Sequence, residues 1–182
     1  GTLKNGVRLL ASLLFYGWGE PRYLLVMLAA IAQGYVFGLL IEKSRGKRRA
    51  GLYLALSVLL SLGTLAYFKY ADFMIRSLNA LTGLSVPLLS LALPVGISFY
   101  TFQILSYTVD VYRGTVPAQR NLIDLAAYIA MFPQLIAGPI VRYSDIAPEL
   151  RSRTHTLSDA AAGTRRFVLG LAKKILFANL LG

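Results

Sequence analysis

The chain has 182 residues, 56% of them from the set AVILMFWYC and only 15% charged, with a positive mean hydropathy. That balance excludes an ordinary soluble domain and points to a bilayer as the solvent. With no cysteine and a single histidine, disulfides and Cys-ligated zinc or iron–sulfur centres are excluded as well. The net charge of +11 does not imply nucleic acid, because the basic residues punctuate apolar runs instead of covering one solvated face.

The sequence opens at Gly1 without an initiating Met or a signal-peptide pattern, and stops at Gly182 just after an apolar run. An excerpt from a longer chain is expected. Residues 7–18 read as a partial span whose end, FYGWGEPRY, places aromatics beside a Gly/Pro turn, as suits a membrane interface. Residues 23–41 (YLLVMLAAIAQGYVFGLLI) carry no charge and one strongly polar side chain, Gln33. Their length matches the roughly 20 residues needed to cross a hydrocarbon core. Next comes EKSRGKRRAG, with Lys43, Arg45, Lys47, Arg48 and Arg49 set against Glu42. By the positive-inside bias this loop, residues 42–51, is expected on the cytoplasmic side and suited to anionic lipid. Residues 52–70 form the next span, with Lys69 able to snorkel to the headgroups. The stretch from Ala71 to Ser85 is then expected outside, and residues 86–107 form a third clear span that returns the chain to the cytoplasm.

Residues 121–141 are apolar enough to enter the membrane but are interrupted by Pro133, Gly138 and Pro139. A full crossing would put Arg142, Arg151, Arg153, Arg165 and Arg166 outside, against the positive-inside bias. A re-entrant or interfacial element entering and leaving on the cytoplasmic side is therefore expected, its freed backbone groups buried in protein or lining a wet cavity. The final apolar segment, residues 166–181, carries Lys173 and Lys174, which cannot both face lipid at depth. The expected fold is all-α, a polytopic membrane protein with three to five membrane segments in a single membrane domain over residues 1–182.

In the third span Gly96, Tyr100, Gln103, Tyr107 and Asp110 follow a 4-3-4-3 spacing and fall on a helical stripe about 80° wide. Either interhelical hydrogen bonding or a substrate passage uses such a stripe. Pro94 is expected to kink that span, and Asp110 to pair with Arg113 at i, i+3. His155 sits among polar residues, as a solvated loop histidine would. Thr156 to Asp159 reads as a capped helix start. No metal site is expected, and the phosphate-loop, dinucleotide, HExxH and GxSxG patterns are all absent.

The most distinctive segment, FPQLIAGPIVRY (Phe132 to Tyr143), resembles the signature of the membrane-bound O-acyltransferase family, in its bacterial alginate O-acetyltransferase branch. LPVGISFYTFQILSYTVDVYRG (Leu93 to Gly114), the FYGW at Phe15 to Trp18, and RRFVLGLAKKILFANLLG (Arg165 to Gly182) are similar to that branch in the same order. The resemblance implies a multi-helix fold of the bacterial inner membrane, with re-entrant pieces around a tunnel joining a cytoplasmic acyl donor to an acceptor outside. It implies acetyl transfer to a cell-surface polysaccharide such as alginate, with acetyl-coenzyme A as donor and a periplasmic acetyltransferase partner. The family's catalytic histidine is expected beyond residue 182, so no catalytic residue is assigned here and the segment alone is expected to be inactive. Pro133, Gln134, Gly138, Pro139 and Arg142 match the motif and should shape the tunnel, the two prolines by conformation. They join Tyr100, Gln103, Tyr107 and Asp110 as passage candidates. A secondary transporter with broken helices and a noncatalytic membrane scaffold are the competing readings.

Overall fold

The computed structural model describes residues 2–136, 140–151 and 156–178, all of its regular structure helical. Helices α1 (Thr2–Gly19) and α2 (Pro21–Lys43) are joined through Glu20, with Pro21 opening α2, where a missing N–H costs nothing. α2 and α3 (Arg48–Thr82) are both long and apolar enough to cross a membrane. Gly83, left-handed at φ 71°, ends α3.

α2 buries Met27, Ile31, Gly34, Gly38 and Ile41, a 4-3-4-3 stripe that packs on α4 (Ile97–Arg113). The contact is close because two of its members are glycines. A Cβ on Gly34 would lie 2.9 Å from Ile104 Cγ2, and one on Gly38 would lie 2.6 Å from the Tyr107 hydroxyl. Such small-residue stripes let helix backbones approach where lipid gives no hydrophobic drive. α3 joins α2 through polar contacts instead. The Gln33 amide donates to the Ser57 carbonyl at 3.0 Å and to Ser61 Oγ at 3.0 Å. Elsewhere α3 turns Leu52, Leu56, Leu59, Leu60 and Leu62 outward.

The expected span at 52–70 lies within α3, a 35-residue helix that continues to Thr82, because no proline or glycine interrupts the chain between Gly63 and Gly83. The expected span at 86–107 needs correction, because its first half is not helical: residues 83–96 are irregular and α4 starts only at Ile97. Pro87 and Pro94 disfavour helix at the residues before them and supply no N–H, so Pro94 precedes the helix and does not kink it. The irregular strap is fastened to α3. Asp72 accepts the N–H groups of Leu89 and Ser90 at 2.8 and 3.0 Å, and Asn79 both accepts from and donates to Val86.

α5 (Leu122–Ile129) is capped by the Asn121 side chain, and α6 (Phe132–Ile136) follows after a break at 130–131. Both pack along α1. Asn5 donates to Asp124 Oδ1 at 2.8 Å, and Phe15 meets Phe132 with ring centroids 4.9 Å apart. α7 (Tyr143–Arg151) follows. The structure divides into compact units 1–151 and 152–182. The second contains α8 (Leu157–Lys173), opened as expected by a capping box between Thr156 and Asp159, and a π-helical turn at Lys174–Ala178. Lys173 and Lys174 are exposed on it. Arg153 and His155 lie outside the described residues, as does the end of the 166–181 segment.

Replacing Gly38 by Ala should destabilise the protein by about 1–3 kcal/mol, the cost of overpacking a site that cannot yield. Gly63→Ala, where an added Cβ meets nothing, should be neutral or mildly stabilising. Thermal unfolding of the two variants in one detergent checks the contrast. Asp72→Ala releases two loop N–H groups, so limited proteolysis should cut the 83–96 strap faster while α3 stays protected.

Candidate functional site

α4 is the element on which the polar side chains converge. Gly96 holds φ 73° just before it, a left-handed conformation that suits glycine, and a Cβ there would come within 2.9 Å of the Leu135 carbonyl oxygen. From this start the helix carries Tyr100 (0% exposed), Gln103 (1%), Tyr107 (0%) and Asp110 (8%) on one inward face. Ten residues separate the first from the last, about 15 Å of helix.

Only one member of this row has its side chain satisfied in the ordinary way. The Tyr107 hydroxyl accepts the Gln119 N–H at 2.9 Å. The Tyr100 hydroxyl, Gln103 Oε1 and Asp110 Oδ2 are buried without a hydrogen-bonding partner among the described residues, and so is Gln134 Nε2 on α6. Buried polar atoms are nearly always paired, and leaving one unpaired costs about 1–3 kcal/mol. Asp110 forms no ion pair with Arg113 among the described residues. The expected i, i+3 contact fails because Asp110 points inward while Arg113 is exposed at the last turn. Tyr100 also lines an open, largely apolar cleft of about 660 Å³ between α2, α3 and α4, where Gln33, Ser61 and Thr101 are the nearby polar groups.

At the other end of the row three tyrosines meet. The Tyr143 ring stands edge-on to Tyr107 at 5.0 Å and to Tyr128 at 5.3 Å between centroids. Gln119 Nε2 donates to the Tyr143 hydroxyl at 3.0 Å, and the Tyr128 hydroxyl donates to the Val141 carbonyl at 2.7 Å. The loop before α5 is fastened to the end of α2. Glu42 accepts the Ala118 N–H at 2.9 Å and pairs with Arg120 at 2.6 Å, the Tyr35 hydroxyl donates to the Arg120 carbonyl, and Arg45 donates to the Val111 carbonyl. Residues 121–143 thus leave from beside Tyr107, reach Gly96 with Leu135, and come back to Tyr107 with Tyr143.

Of the residues singled out by sequence, Tyr100, Gln103, Tyr107 and Asp110 share one buried face, and Gln134 is buried. Pro133 is exposed in the first turn of α6, a position where it shapes the backbone. Arg142 is exposed, and Gly138 and Pro139 lie outside the described residues. Among the described residues no group of three or more His, Cys, Asp or Glu side chains converges on a point. Gln119, Tyr128, Tyr143 and the Gly34–Gly38 pair were missed as elements of the site. A G-x-x-x-G spacing in the 23–41 span was the available signal for the glycines.

The fold is that of an all-α membrane protein, with α2 and α3 long and apolar enough to cross a bilayer. The probable alginate O-acetylase AlgI of Pseudomonas syringae pv. tomato is 42% identical over 98% of the chain, and that of Pseudomonas aeruginosa is 43% identical over 98%. A peptidoglycan O-acetyltransferase of Helicobacter pylori is 29% identical over 93%. Over almost its whole length the chain is thus similar to proteins named AlgI, in agreement with the resemblance carried by its motifs. It spans about a third of the length of these relatives, 35% in the first two. No family model and no solved structure matches it.

Asp110→Asn replaces an unpartnered carboxylate oxygen by a neutral amide. The variant should unfold at a higher temperature in detergent, by the equivalent of about 1–2 kcal/mol.

Proposed function

We propose that this chain is the part of a bacterial inner-membrane O-acetyltransferase that walls the passage between a cytoplasmic acetyl donor and a polysaccharide acceptor outside. The observation that carries the reading is the buried row Tyr100, Gln103, Asp110 and Gln134, whose polar atoms are not used to hold helices together. The names of the relatives supply the chemistry. Alginate is the favoured acceptor, because the alginate O-acetylases are more similar to the chain than the peptidoglycan enzyme is.

In this reading the basic stretch of residues 42–51, with its five cations, faces the cytoplasm, and residues 121–141 form a re-entrant excursion from that side. A donor such as acetyl-coenzyme A is anionic and suits the exposed Lys43, Lys47, Arg48 and Arg49. An acceptor hydroxyl attacks the thioester carbonyl, the C–S bond breaks, and the hydroxyl proton ends on the departing thiolate. The general base is the histidine that the family resemblance places beyond residue 182. Residues of this chain orient the reactants and exclude bulk water, and the acetyl group reaches the glycan directly or through a periplasmic acetyltransferase partner.

Membranes carrying the full-length protein should transfer radiolabelled acetyl groups from acetyl-coenzyme A to alginate. Gln103→Leu should lower the rate about tenfold or more, the scale of one displaced positioning contact. Wild-type membranes that move no label into polysaccharide would refute the proposal.

A further inference from the structure

Gln119 stands where the excursion of residues 121–143 begins and ends. Its backbone N–H and both polar atoms of its side chain are engaged, each with a different part of the chain. The backbone N–H goes to the Tyr107 hydroxyl on α4, Nε2 goes to the Tyr143 hydroxyl at the start of α7, and Oε1 accepts the Asn121 N–H just before α5 at 3.1 Å. The residue is 8% exposed. It sits in a loop with no helical ladder of its own, so these bonds, with the Glu42 carboxylate on the adjoining Ala118 N–H, fix its place.

We infer that Gln119 is a positioning residue: a latch that closes the excursion at its open end and so keeps Gln134 and the α4 row in one walled lane. A second bond, from the Tyr128 hydroxyl to the Val141 carbonyl, ties the two limbs of the excursion to each other. Tyr143 rests on Tyr107 by its ring, but an edge-to-face contact permits sliding that a directed amide-to-hydroxyl bond does not. Opening at Gln119 would separate Tyr143 from Tyr107 and let the α6 end move away from Gly96, where Leu135 already makes a contact too close for any side chain. The inference rests on the passage reading for its effect on transfer, and not for its effect on geometry.

The test uses the full-length protein in an otherwise cysteine-free background, with Gln134→Cys as reporter and a small methanethiosulfonate as probe. Gln119→Leu and Tyr143→Phe should each raise the labelling rate about tenfold, the factor carried by one buried hydrogen bond. The double variant should rise no further, because both changes break one bond. In the background with Gln134 intact, each should lower kcat for acetyl transfer about tenfold and leave the donor KM within about twofold. If Gln119→Leu fails to accumulate in membranes, Tyr143→Phe alone decides, since it keeps the ring. Unchanged labelling in Tyr143→Phe, additive labelling in the double variant, or faster labelling with undiminished transfer would each overturn the assignment. Wild-type protein that transfers no acetyl while the latch variants label faster would remove the acetyl-transfer reading and leave the latch standing.

Discussion

The contact of α2 with α4 at Gly34 and Gly38 is the constraint from which the rest follows. No side chain fits at either position. The Tyr107 hydroxyl, which fills the place that a Cβ on Gly38 would need, also accepts the Gln119 N–H, and the Tyr107 ring stands against that of Tyr143. The hydroxyl therefore lies within van der Waals reach of one helix backbone while accepting from a loop twelve residues further along the chain. Widening this contact would shift Tyr107, and with it the point to which the excursion returns. Dispersion between atoms at such distances is individually weak but summed over a whole helix face, and in lipid it has little competition from hydrophobic drive.

The distribution of satisfied and unsatisfied polar groups separates the residues that join helices from the buried row. Gln33, Tyr16, Tyr35, Glu42 and Asn5 all spend their polar atoms on joining elements. These are the bonds expected of a membrane bundle, where an orphaned polar group has no water to turn to. Tyr100, Gln103, Asp110 and Gln134 break that rule together, and at about 1–3 kcal/mol each the accumulated cost is large against the stability of a typical domain. Local rules are broken in this way at functional sites, with compensation elsewhere. Here the compensation includes the tyrosine cluster and the doubly engaged Glu42.

Much of the candidate site was legible in the sequence because helical periodicity is short-range information. The 4-3-4-3 spacing from Gly96 to Asp110 needs only the chain itself, and the face it defines is the buried one. The start of α4 was misread because a proline near a long apolar run can either kink a helix or delay it, and which occurs depends on the strap that Asp72 and Asn79 tether. Gln119 left no trace at all. It lies outside any periodic segment, and each of its partners is fixed by tertiary packing. Asn5 and Ser12 were hidden for the same reason, since their partners Asp124 and Phe132 are more than a hundred positions away.

The length of α3 sets a depth. At 1.5 Å per residue its 35 residues extend about 52 Å, against roughly 30 Å of hydrocarbon. With Arg48 and Arg49 set at a headgroup layer, where cations are favoured, the surplus would fall at the other end, which carries Asp72, Asn79 and the strap tied to them. The strap leads directly into α4. The helix thus works as a ruler: inserting or deleting a turn near its far end would raise or lower the level at which α4 begins, and move the whole polar row through the bilayer without altering any residue in it.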